Sequence, residues 1–420
     1  MRRAIATRED GEVSTRPAAT IAVLGGGPAG LMAAETLARA GASVTVYDRM
    51  PAVGRKFILA GRGGLNLTHS EPFDHFIERY GPAADWLAPA LRAFPPDALR
   101  TWASELGQET FVGSSGRVFP SAFRATPLLR AWLARLSELG VTSRVRHEWL
   151  GWTGAGELRF STPAGGATAS PDATILAFGG ASWPRMGSTG TWADIIRNAG
   201  IQVAPLTPAN SGFTVDWSEH FRSRFAGVPL KSVRLSCNGQ TVRGEAMITS
   251  DGIEGGAIYA LGAAIRQGIA RDGVADLRLD LHPDLTLEVL ASRLAKRRRG
   301  DSLTTALKRV GLSPVAIALA HEVGAAAEAS HLKSLPLELL RPTSINRAIS
   351  TAGGIPRSEV DDHFGLRKLP GVFVAGEMLD WEAPTGGYLL QACFSTGFAA
   401  AEGAQRFLEG ESLSPTQPLA

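Results

Sequence analysis

Three glycines near the start of the chain have the spacing of a phosphate-binding turn. Gly25, Gly27 and Gly30 follow a short apolar run and form a G-x-G-x-x-G pattern. In such a turn the first glycine permits a tight bend, the second lets the backbone approach a pyrophosphate, and the third lets a helix pack closely against a strand. Pro28 and Ala29 stand where the following helix would begin, and free N–H groups there attract phosphates. The spacing therefore predicts a dinucleotide site.

An acidic residue completes this pattern. Asp48 ends a second apolar run, about 20 residues beyond the glycines, where a carboxylate accepts hydrogen bonds from an adenosine ribose. The flanking residues supply the elements that position the site: residues 20–24 are typical of a buried strand, 31–40 of a helix and 42–47 of a second strand. A glycine-rich turn without a ligand is the alternative, but it does not account for strand, turn, helix, strand and acid in this order.

The loop that follows Asp48 carries both charge and polar groups. Arg55 and Lys56 lie near its start, and Asn66 and Thr68 lie near its end, with four glycines between residues 54 and 64. The two cations can neutralise a pyrophosphate, and Asn66 and Thr68 can hydrogen-bond the polar edge of a ring. Because the loop directly follows the ribose acid, we favour a ligand-binding role over the alternative, a flexible surface loop with solvated cations.

The composition limits the class of protein. The chain has 420 residues, of which 44% are hydrophobic and 20% charged, so we expect a globular protein of two or three domains. A net charge of +3 gives no footprint for nucleic acid, so a small-molecule substrate is the expected partner. Cys237 and Cys393 form no C-x-x-C pair, which predicts neither a metal site nor a redox disulfide. No window is apolar enough for a membrane span, and a reduced, cytoplasmic compartment is the simplest interpretation.

The loop of residues 54–68 also carries a family resemblance. Its Gly-Arg-Lys start, glycine-rich turn and Asn-x-Thr end resemble the BaiN/YhiN-type flavoproteins, which are described as NAD(P)/FAD-dependent oxidoreductases. The resemblance implies FAD, rather than NAD, at the glycine turn. Leu65 departs from the family pattern, since many members carry cysteine at this position. A role tied to that cysteine is therefore not expected here.

The resemblance extends to the middle of the chain. Gly179 and Gly180 end another buried apolar run, and in a flavin fold such a pair passes beside the bound FAD. They are not a second G-x-G-x-x-G, so we expect no separate nicotinamide-binding domain. Thr249, Gly252 and Gly255 match a family loop that we expect near the substrate, with an ordinary turn as the alternative.

The third block of the resemblance lies near the end of the chain. An apolar run ends at Gly376 and Glu377, and a second glycine pair then opens a helix. The family pattern implies that the carboxylate accepts hydrogen bonds from ribityl hydroxyls and that the helix N-terminus faces the flavin N1–C2=O edge, where negative charge gathers on reduction. The cofactor-binding residues expected here are Gly376, Glu377, Asp380, Gly386, Gly387, Tyr388 and Gln391.

Together these blocks predict an α/β fold in which both ends of the chain build one Rossmann-like FAD-binding domain. Residues 20–205 and 343–410 form that domain, and residues 1–19 are a disordered lead-in. Residues 206–342 are an inserted domain that lies over the flavin. We expect a β unit at 206–284, where apolar and polar residues alternate, and a helical part at 285–342.

The predicted function is that of an FAD-dependent oxidoreductase that exchanges hydride at flavin N5. A reductase of a small organic substrate, with an unsaturated C=C bond as one class of acceptor and NAD(P)H as donor, is the leading hypothesis. The alternatives are an FAD-dependent oxidase or monooxygenase and a flavin-bearing, RNA-associated or other binding protein without turnover. The oligomeric state stays open.

The sequence marks no obvious catalytic acid or base. His69 is the best single candidate, with a solvated loop histidine as its alternative. Arg117 can either face a ligand or be a polar loop residue. Trp149 can either contact the adenine through its backbone or pack in the core.

Overall fold

The computed structural model describes residues 18–296, 302–325 and 328–410. The predicted lead-in of residues 1–19 lies outside the described residues except for its last two positions. In chain order, the strands are β1 (Thr20–Leu24), β2 (Ser43–Asp48), β3 (Thr68–His69), β4 (Thr110–Val112), β5 (Arg117–Pro120), β6 (Thr142–Val145), β7 (Glu148–Trp152), β8 (Leu158–Thr162), β9 (Gly165–Ala169), β10 (Ala173–Leu176), β11 (Thr207–Ala209), β12 (Phe213–Thr214), β13 (Pro229–Cys237), β14 (Gln240–Ile248), β15 (Gly252–Glu254), β16 (Ala275–Asp280), β17 (Leu335–Leu339), β18 (Ser350–Ala352) and β19 (Val372–Val374).

The helices connect these strands and cover the sheets. In chain order they are α1 (Pro28–Arg39), α2 (Arg55–Ala60), α3 (Phe73–Glu78), α4 (Ala84–Ala93), α5 (Pro96–Glu105), α6 (Ala125–Glu138), α7 (Trp192–Asn198), α8 (Glu219–Phe225), α9 (Gly256–Ala260), α10 (Gly262–Asp272), α11 (Leu287–Ala295), α12 (Leu303–Arg309), α13 (Pro314–Glu322), α14 (Ala329–Lys333) and α15 (Tyr388–Glu409).

A parallel sheet of five strands holds the two ends of the chain together. Its order is β19-β10-β1-β2-β6, so β19, the last of the described strands, is joined to β1 through β10. Parallel sheets are covered on both faces, and β1 shows this directly. Ile21 and Val23 belong to one core cluster with α1, α6 and α15, whereas Ala22 and Leu24 belong to a second cluster on the opposite face.

Helices α1 and α15 cross closely above this sheet. A Cβ atom added at Gly397 of α15 would lie 2.3 Å from the backbone oxygen of Ala29 in α1, so only glycine permits this crossing. The contact brings the N-terminal ends of both helices to the same side of the sheet, at the carboxyl ends of its strands. Ligands of open α/β sheets bind at that edge.

The insertion has its own antiparallel sheet and its own core. The sheet has the order β12-β15-β14-β13-β16-β17, and helices α8 to α14 pack with it around a separate hydrophobic cluster. The predicted division needs correction within this region. Residues 335–339 form strand β17, paired with β16, because Leu335, Leu337 and Leu339 alternate into the core. Residues 219–225 form a short helix within the segment predicted as strands.

Two chain segments connect the insertion to the FAD-binding domain. They pair with each other as strands β11 and β18, antiparallel, with Pro208 opposite Thr351. The six-stranded sheet begins at residue 213, so residues 207–209 belong to this connection. The predicted α/β fold with an inserted β-rich and helical part is confirmed. No helix within the described ranges is both long and apolar enough to cross a membrane.

Candidate functional site

The three glycines of the first turn have different surroundings. Gly25 has a φ of +109°, and a Cβ atom added there would lie 2.3 Å from the Ala177 oxygen. A Cβ atom added at Gly30 would lie 2.0 Å from the Gly25 oxygen. At Gly27 an added Cβ atom would meet nothing within 4 Å, and this residue lines a large cleft. The first and third glycines thus serve packing, while the second leaves the backbone open to a ligand.

The cleft has a volume of about 640 Å³ and runs along the carboxyl edge of the parallel sheet to the insertion. A volume of this size suits a cofactor or other large ligand. Most of the predicted site residues lie on its wall. These are Gly25, Gly27, Pro28, Ala29, Asp48, Arg55, Lys56, Asn66, Gly179, Gly376, Glu377, Gly386 and Gly387.

Asp48 is held in place by the backbone at one end of the cleft. Its Oδ2 accepts a hydrogen bond from the Gly26 N–H at 2.9 Å, and its Oδ1 accepts one from the Met50 N–H at 2.7 Å. Burial raises the pKa of Asp48, although these two bonds and the nearby Arg49 and Arg55 oppose the rise. Each carboxylate oxygen retains a lone pair that a ribose hydroxyl can use.

Aromatic rings close this end of the cleft. Tyr47 stacks on Phe160 with ring centroids 4.5 Å apart, and Trp149 stacks on Phe178 at 5.1 Å. All four residues line the cleft. Trp149 is 6% exposed, so it both packs in the core and borders the cleft, and its buried Nε1 has no partner among the described residues.

Other buried polar atoms along the cleft also lack partners. Arg55 Nε and Asn66 Oδ1 are buried with no hydrogen bond to any described residue, and both residues lie on the cleft wall. Buried polar atoms are rarely left unpaired in folded proteins, so a missing ligand is a reasonable account of such atoms. These donors and acceptors fit a bound cofactor with polar ring edges and phosphates.

Lys56 does not lie free beside the predicted pyrophosphate position. Its Nζ donates to Ser182 Oγ at 2.7 Å and to Glu377 Oε2 at 2.9 Å. Glu377 also accepts hydrogen bonds from the backbone N–H groups of Gly180, at 3.1 Å, and Thr351, at 2.9 Å. The carboxylate therefore ties together four separate parts of the chain, and it still lines the cleft, where it can accept a bond from a polyol.

The start of α15 forms the far wall beside Glu377. Gly386 and Gly387 have φ angles of +142° and +98°, which side-chain-bearing residues rarely adopt. A Cβ atom at Gly387 would also lie 2.5 Å from the backbone of Thr68. These glycines therefore let the chain turn sharply into a 22-residue helix whose N-terminus borders the cleft. Cys393 lines the same wall, and burial raises the pKa of its thiol to about 12.

Six predicted site residues support the cleft without lining it: Gly30, Thr68, Gly180, Asp380, Tyr388 and Gln391. Gln391 is fully buried because its Nε2 donates to the Phe94 oxygen at 2.8 Å, behind the helix. The Tyr388 hydroxyl donates to Glu71 Oε1 at 2.6 Å, so its ring also faces away from the cleft. Asp380 is held by a backbone bond from its N–H to Ile355. Cofactor contact by these residues stays a prediction, and Thr68 Oγ1 and Gln391 Oε1 are buried without a hydrogen-bond partner among the described residues.

His69 is not placed as a catalytic acid or base. Its Nδ1 accepts a hydrogen bond from the Glu71 N–H at 3.1 Å, and its Nε2 lies 3.0 Å from the Ser115 oxygen. This pair of bonds requires the neutral tautomer with the proton on Nε2. The ring stacks on Tyr388 at 5.4 Å and is absent from the cleft wall. His69 therefore stabilises the loop, and with its side chain 16% exposed it is not the solvated histidine of the alternative interpretation.

The insertion contributes cleft residues that the sequence did not assign. Glu245 of β14 and both Gly256 and Tyr259 of α9 line the cleft. Arg117 of β5, outside the insertion, also lines it, as the ligand-facing interpretation of this residue predicts. Tyr259 lies four residues after Gly255, the last glycine of the loop that we expected near the substrate. That spacing was the available signal. Within the described ranges, no cluster of His, Cys, Asp and Glu is arranged to hold a metal ion.

The chain is similar to curated proteins over nearly its whole length. A 3-dehydro-bile acid delta(4,6)-reductase of Clostridium scindens is 27% identical over 91% of this chain and 98% of the relative. A ribosomal RNA dihydrouridine synthase of Escherichia coli is 25% identical over 90% of this chain and 96% of the relative. The Haemophilus influenzae protein of the same description is 23% identical over 90% of this chain.

Solved structures and a family model agree with this picture. The 3-ketosteroid delta1-dehydrogenase of Sterolibacterium denitrificans covers 92% of this chain with a TM-score of 0.53 and 13% identity, which supports the fold alone. A family model described as HI0933-like protein Rossmann domain matches residues 19–403. The resemblance inferred from the motifs is confirmed, and so is the prediction of an FAD-dependent oxidoreductase. The chain therefore belongs to the HI0933-like Rossmann-domain family.

Proposed function

We propose that this chain reduces a C=C bond conjugated to a carbonyl group, with FAD as its cofactor and NAD(P)H as the electron donor. One observation carries the proposal: the cleft continues past the N-terminus of α15 to a wall built by the insertion, which leaves room for a substrate beside the flavin end. The two kinds of curated relative act on different molecules, a bile acid and an RNA. Both names describe the saturation of a double bond within a conjugated carbonyl system.

The residues of the cleft would hold FAD from end to end. The open backbone at Gly27 and the N-terminus of α1 would bind the pyrophosphate, and Asp48 would bind the adenosine ribose. Glu377 would accept a hydrogen bond from the ribityl chain. The N-terminus of α15 would stabilise negative charge at the pyrimidine edge of the ring. When bound, reduced FAD supplies a hydride to an electron-poor carbon of the substrate.

The donor and the acceptor would use the same part of the cleft in turn. Gly179 and Gly180 do not form a second dinucleotide turn, and they line and support the FAD cleft instead. NAD(P)H would therefore reduce the cofactor and leave before the substrate enters. This order predicts ping-pong steady-state kinetics.

A uracil base in single-stranded RNA is a second candidate substrate, and a surface beside the cleft favours it. Phe111, Phe119 and Phe123 form an aromatic cluster with ring centroids 5.0–6.3 Å apart. Phe111 and Phe123 are 42% and 43% exposed. Exposed aromatic rings of this kind stack on unpaired bases. The net charge of the whole chain does not describe so local a surface.

Arginines connect the aromatic cluster to the cleft. Arg117 and Phe119 are two residues apart on β5, so their side chains lie on the same face of the strand, and Arg117 lines the cleft. Arg62 and Arg124 are exposed and border a groove beside Phe123. Cations beside stacking rings suit a phosphate backbone with splayed bases.

An anaerobic experiment separates these candidates. The holoenzyme is reduced with NADH or NADPH in a stopped-flow instrument and then mixed with progesterone, as a steroid enone, or with a uridine-containing single-stranded RNA. Reoxidation with a mass gain of two hydrogens in either acceptor supports conjugated-bond reduction and identifies its class. In a parallel run with dissolved oxygen, fast reoxidation by oxygen and no reaction of either acceptor would instead support an oxidase.

A further inference from the structure

We propose that Tyr259 of the insertion is the proton donor that completes the reduction at the substrate carbon next to the carbonyl. This inference rests on the proposed function and names a catalytic residue for it. It follows from the position of α9 and from the partners, charge or position of the other ionisable groups on the cleft wall.

A glycine-rich loop places α9 against the cleft. Gly255 precedes the helix with a φ of +108°, and a Cβ atom added at Gly252 would lie 1.9 Å from the Phe213 oxygen. Both positions therefore require glycine, and the loop packs tightly on β12. The Tyr259 N–H donates to the Gly255 oxygen at 2.9 Å, which fixes the first turn of the helix.

The helix presents one face to the insertion core and the other to the cleft. Ala257 and Ile258 are buried in the core of the insertion. Gly256 and Tyr259 are three residues apart, hence on one face, and both line the cleft. A Cβ atom added at Gly256 would meet nothing within 4 Å, so the space beside the Tyr259 ring is open to a substrate.

The ionisable groups at the nucleotide end are already engaged. Arg49 forms an ion pair with Glu148 at 3.1 Å. Asp48 accepts its two backbone bonds, Tyr47 stacks between neighbouring rings, and the Nδ1 of His147 lies 2.8 Å from the Val145 oxygen. None of these groups is placed to protonate a substrate beside the flavin end.

The groups around the flavin end are engaged as well. Lys56 and Glu377 bond each other, and Cys393 lies on α15, where the Glu377 backbone bonds its thiol on the cofactor wall. Arg55 is a cation that does not release its proton in proteins. The remaining ionisable wall residues are Arg117, Glu245 and Tyr259.

Among these three, only Tyr259 carries a hydroxyl group. Arg117 and Glu245 make no side-chain hydrogen bond or ion pair with another described residue. The Tyr259 hydroxyl oxygen accepts a hydrogen bond from the Gly255 backbone, which leaves its O–H free to donate. Arg117 is permanently charged, which suits it to stabilise negative charge on the carbonyl oxygen. Glu245 is an exposed carboxylate on strand β14. Burial and the nearby Glu254 carboxylate raise the pKa of Tyr259, which keeps its hydroxyl protonated.

The proton transfer balances the hydride transfer. The carbon two bonds from the carbonyl gains a hydride, which forms a C–H bond, and the π electrons of the double bond shift toward the carbonyl as an enolate. The Tyr259 O–H bond then breaks, and its proton forms a C–H bond at the carbon next to the carbonyl. The phenolate regains a proton from water, because Tyr259 is only partly buried. The substrate gains two hydrogens and two electrons.

The test compares wild-type holoenzyme with Tyr259→Phe. We expect normal FAD content, a normal rate of flavin reduction by NAD(P)H and unchanged perturbation of the flavin spectrum by a saturated steroid ketone. The rate of flavin reoxidation by the productive acceptor should fall on the order of 10²- to 10⁴-fold. In wild-type enzyme, the reaction in D₂O should place deuterium at the carbon next to the carbonyl and should show a solvent isotope effect. Tyr259→Phe should lose this isotope effect.

Glu245→Gln is the comparison variant, because Glu245 is the other acidic side chain of the insertion wall, and we expect its loss of reoxidation rate to be smaller than that of Tyr259→Phe. An unchanged reoxidation rate in Tyr259→Phe, or a large loss in Glu245→Gln with Tyr259→Phe unaffected, overturns the assignment. These results leave the proposed function intact as long as the wild-type enzyme reduces an acceptor. If the wild-type enzyme reduces neither acceptor, it is the proposed function that fails.

Discussion

The FAD-binding domain and the insertion differ in how many hydrogen bonds the protein itself makes to the polar side chains on the cleft wall. In the FAD-binding domain, Asp48 and Glu377 each accept two or more hydrogen bonds from the protein itself. On the insertion wall, Tyr259 has one backbone bond, from Gly255, and Glu245 lines the cleft without a side-chain partner among the described residues. The difference suits a cofactor that stays bound against one wall and a substrate that enters and leaves at the other. Preorganised groups lose little entropy on binding, whereas unpaired groups must be satisfied by water or substrate.

The largest effect should come from replacing Glu377, which accepts three hydrogen bonds from other parts of the protein. In Glu377→Ala, the Lys56 ammonium and two backbone N–H groups lose their acceptor, which we expect to cost about 2–4 kcal/mol of the free energy of unfolding. FAD content should fall as well. Glu377→Gln, which keeps the shape and one oxygen, should be milder. Chemical denaturation of the apoproteins and the flavin absorbance of the purified holoproteins measure both effects, and wild-type values in Glu377→Ala would contradict this account.

The next effect compares two glycines of the first turn, Gly27, which we expect to contact FAD, and Gly30, which serves packing. Gly27→Val adds a side chain into open space, so we expect it to weaken FAD binding by about 1–3 kcal/mol while the stability of the apoprotein hardly changes. Gly30→Val is the contrasting control, because its side chain would collide with the Gly25 oxygen. That variant should lose stability before FAD is added. Isothermal titration with FAD and thermal unfolding of the apoproteins measure the two quantities separately, and an equal loss of apoprotein stability in both variants would contradict the division of roles.

How far the sequence predicts this molecule differs between the two regions. The glycine turn, Asp48 and the segment from Gly376 to Gly387 are local patterns, and such patterns can be recognised without knowledge of the fold. The partner of Lys56 lies 321 residues away, so no local signal links it to Glu377. The direction of Gln391 depends on the packing of α15 against Phe94, which helical spacing alone does not give.

The insertion was harder to predict for a different physical reason. Strand β17 has alternating buried leucines, but it follows a long helical segment and its partner β16 lies far back in the sequence. Tyr259 belongs to a helix of five residues, too short to show periodicity. Its role depends on which face of α9 meets the cleft. Only the assembled structure gives that face.

A smaller effect is the pH dependence of FAD affinity, which depends on Asp48 on the cofactor wall. Because burial raises the pKa of Asp48 above its usual 3.8, this group stabilises the native apoprotein below the usual pKa, and the contribution is lost as the pH rises through the raised pKa. FAD has the opposite preference, since the ionised carboxylate is the better acceptor for the ribose. We therefore expect FAD affinity to fall about tenfold as the pH is lowered from about 7 to 4. Titrations of wild type and Asp48→Asn measure it, and a pH dependence retained in the variant would assign the effect to another group.

The smallest expected effect lies where the two regions meet. Arg266 of α10 donates to Glu382 at 2.6 Å and to the Pro208 oxygen at 3.1 Å, so one insertion side chain holds both the FAD-binding domain and the connecting strand. Both side chains are partly buried. In Arg266→Met we expect a loss of about 1 kcal/mol in stability and a severalfold weaker affinity for the acceptor, because the substrate wall is less firmly held. FAD affinity should not change, since none of the expected cofactor contacts involves this residue.

Arg278→Met is the matched control for that variant. Arg278 pairs with Asp276 on the same strand of the insertion and reaches no other domain. If the substrate wall is positioned through the contact between domains, only Arg266→Met should raise the KM for the acceptor, and high salt should reduce the difference between wild type and variant. If both variants or neither raise the KM, the insertion positions its wall through the paired strands β11 and β18 alone. The position of the substrate wall would then depend on backbone hydrogen bonds rather than on the ion pair between Arg266 and Glu382.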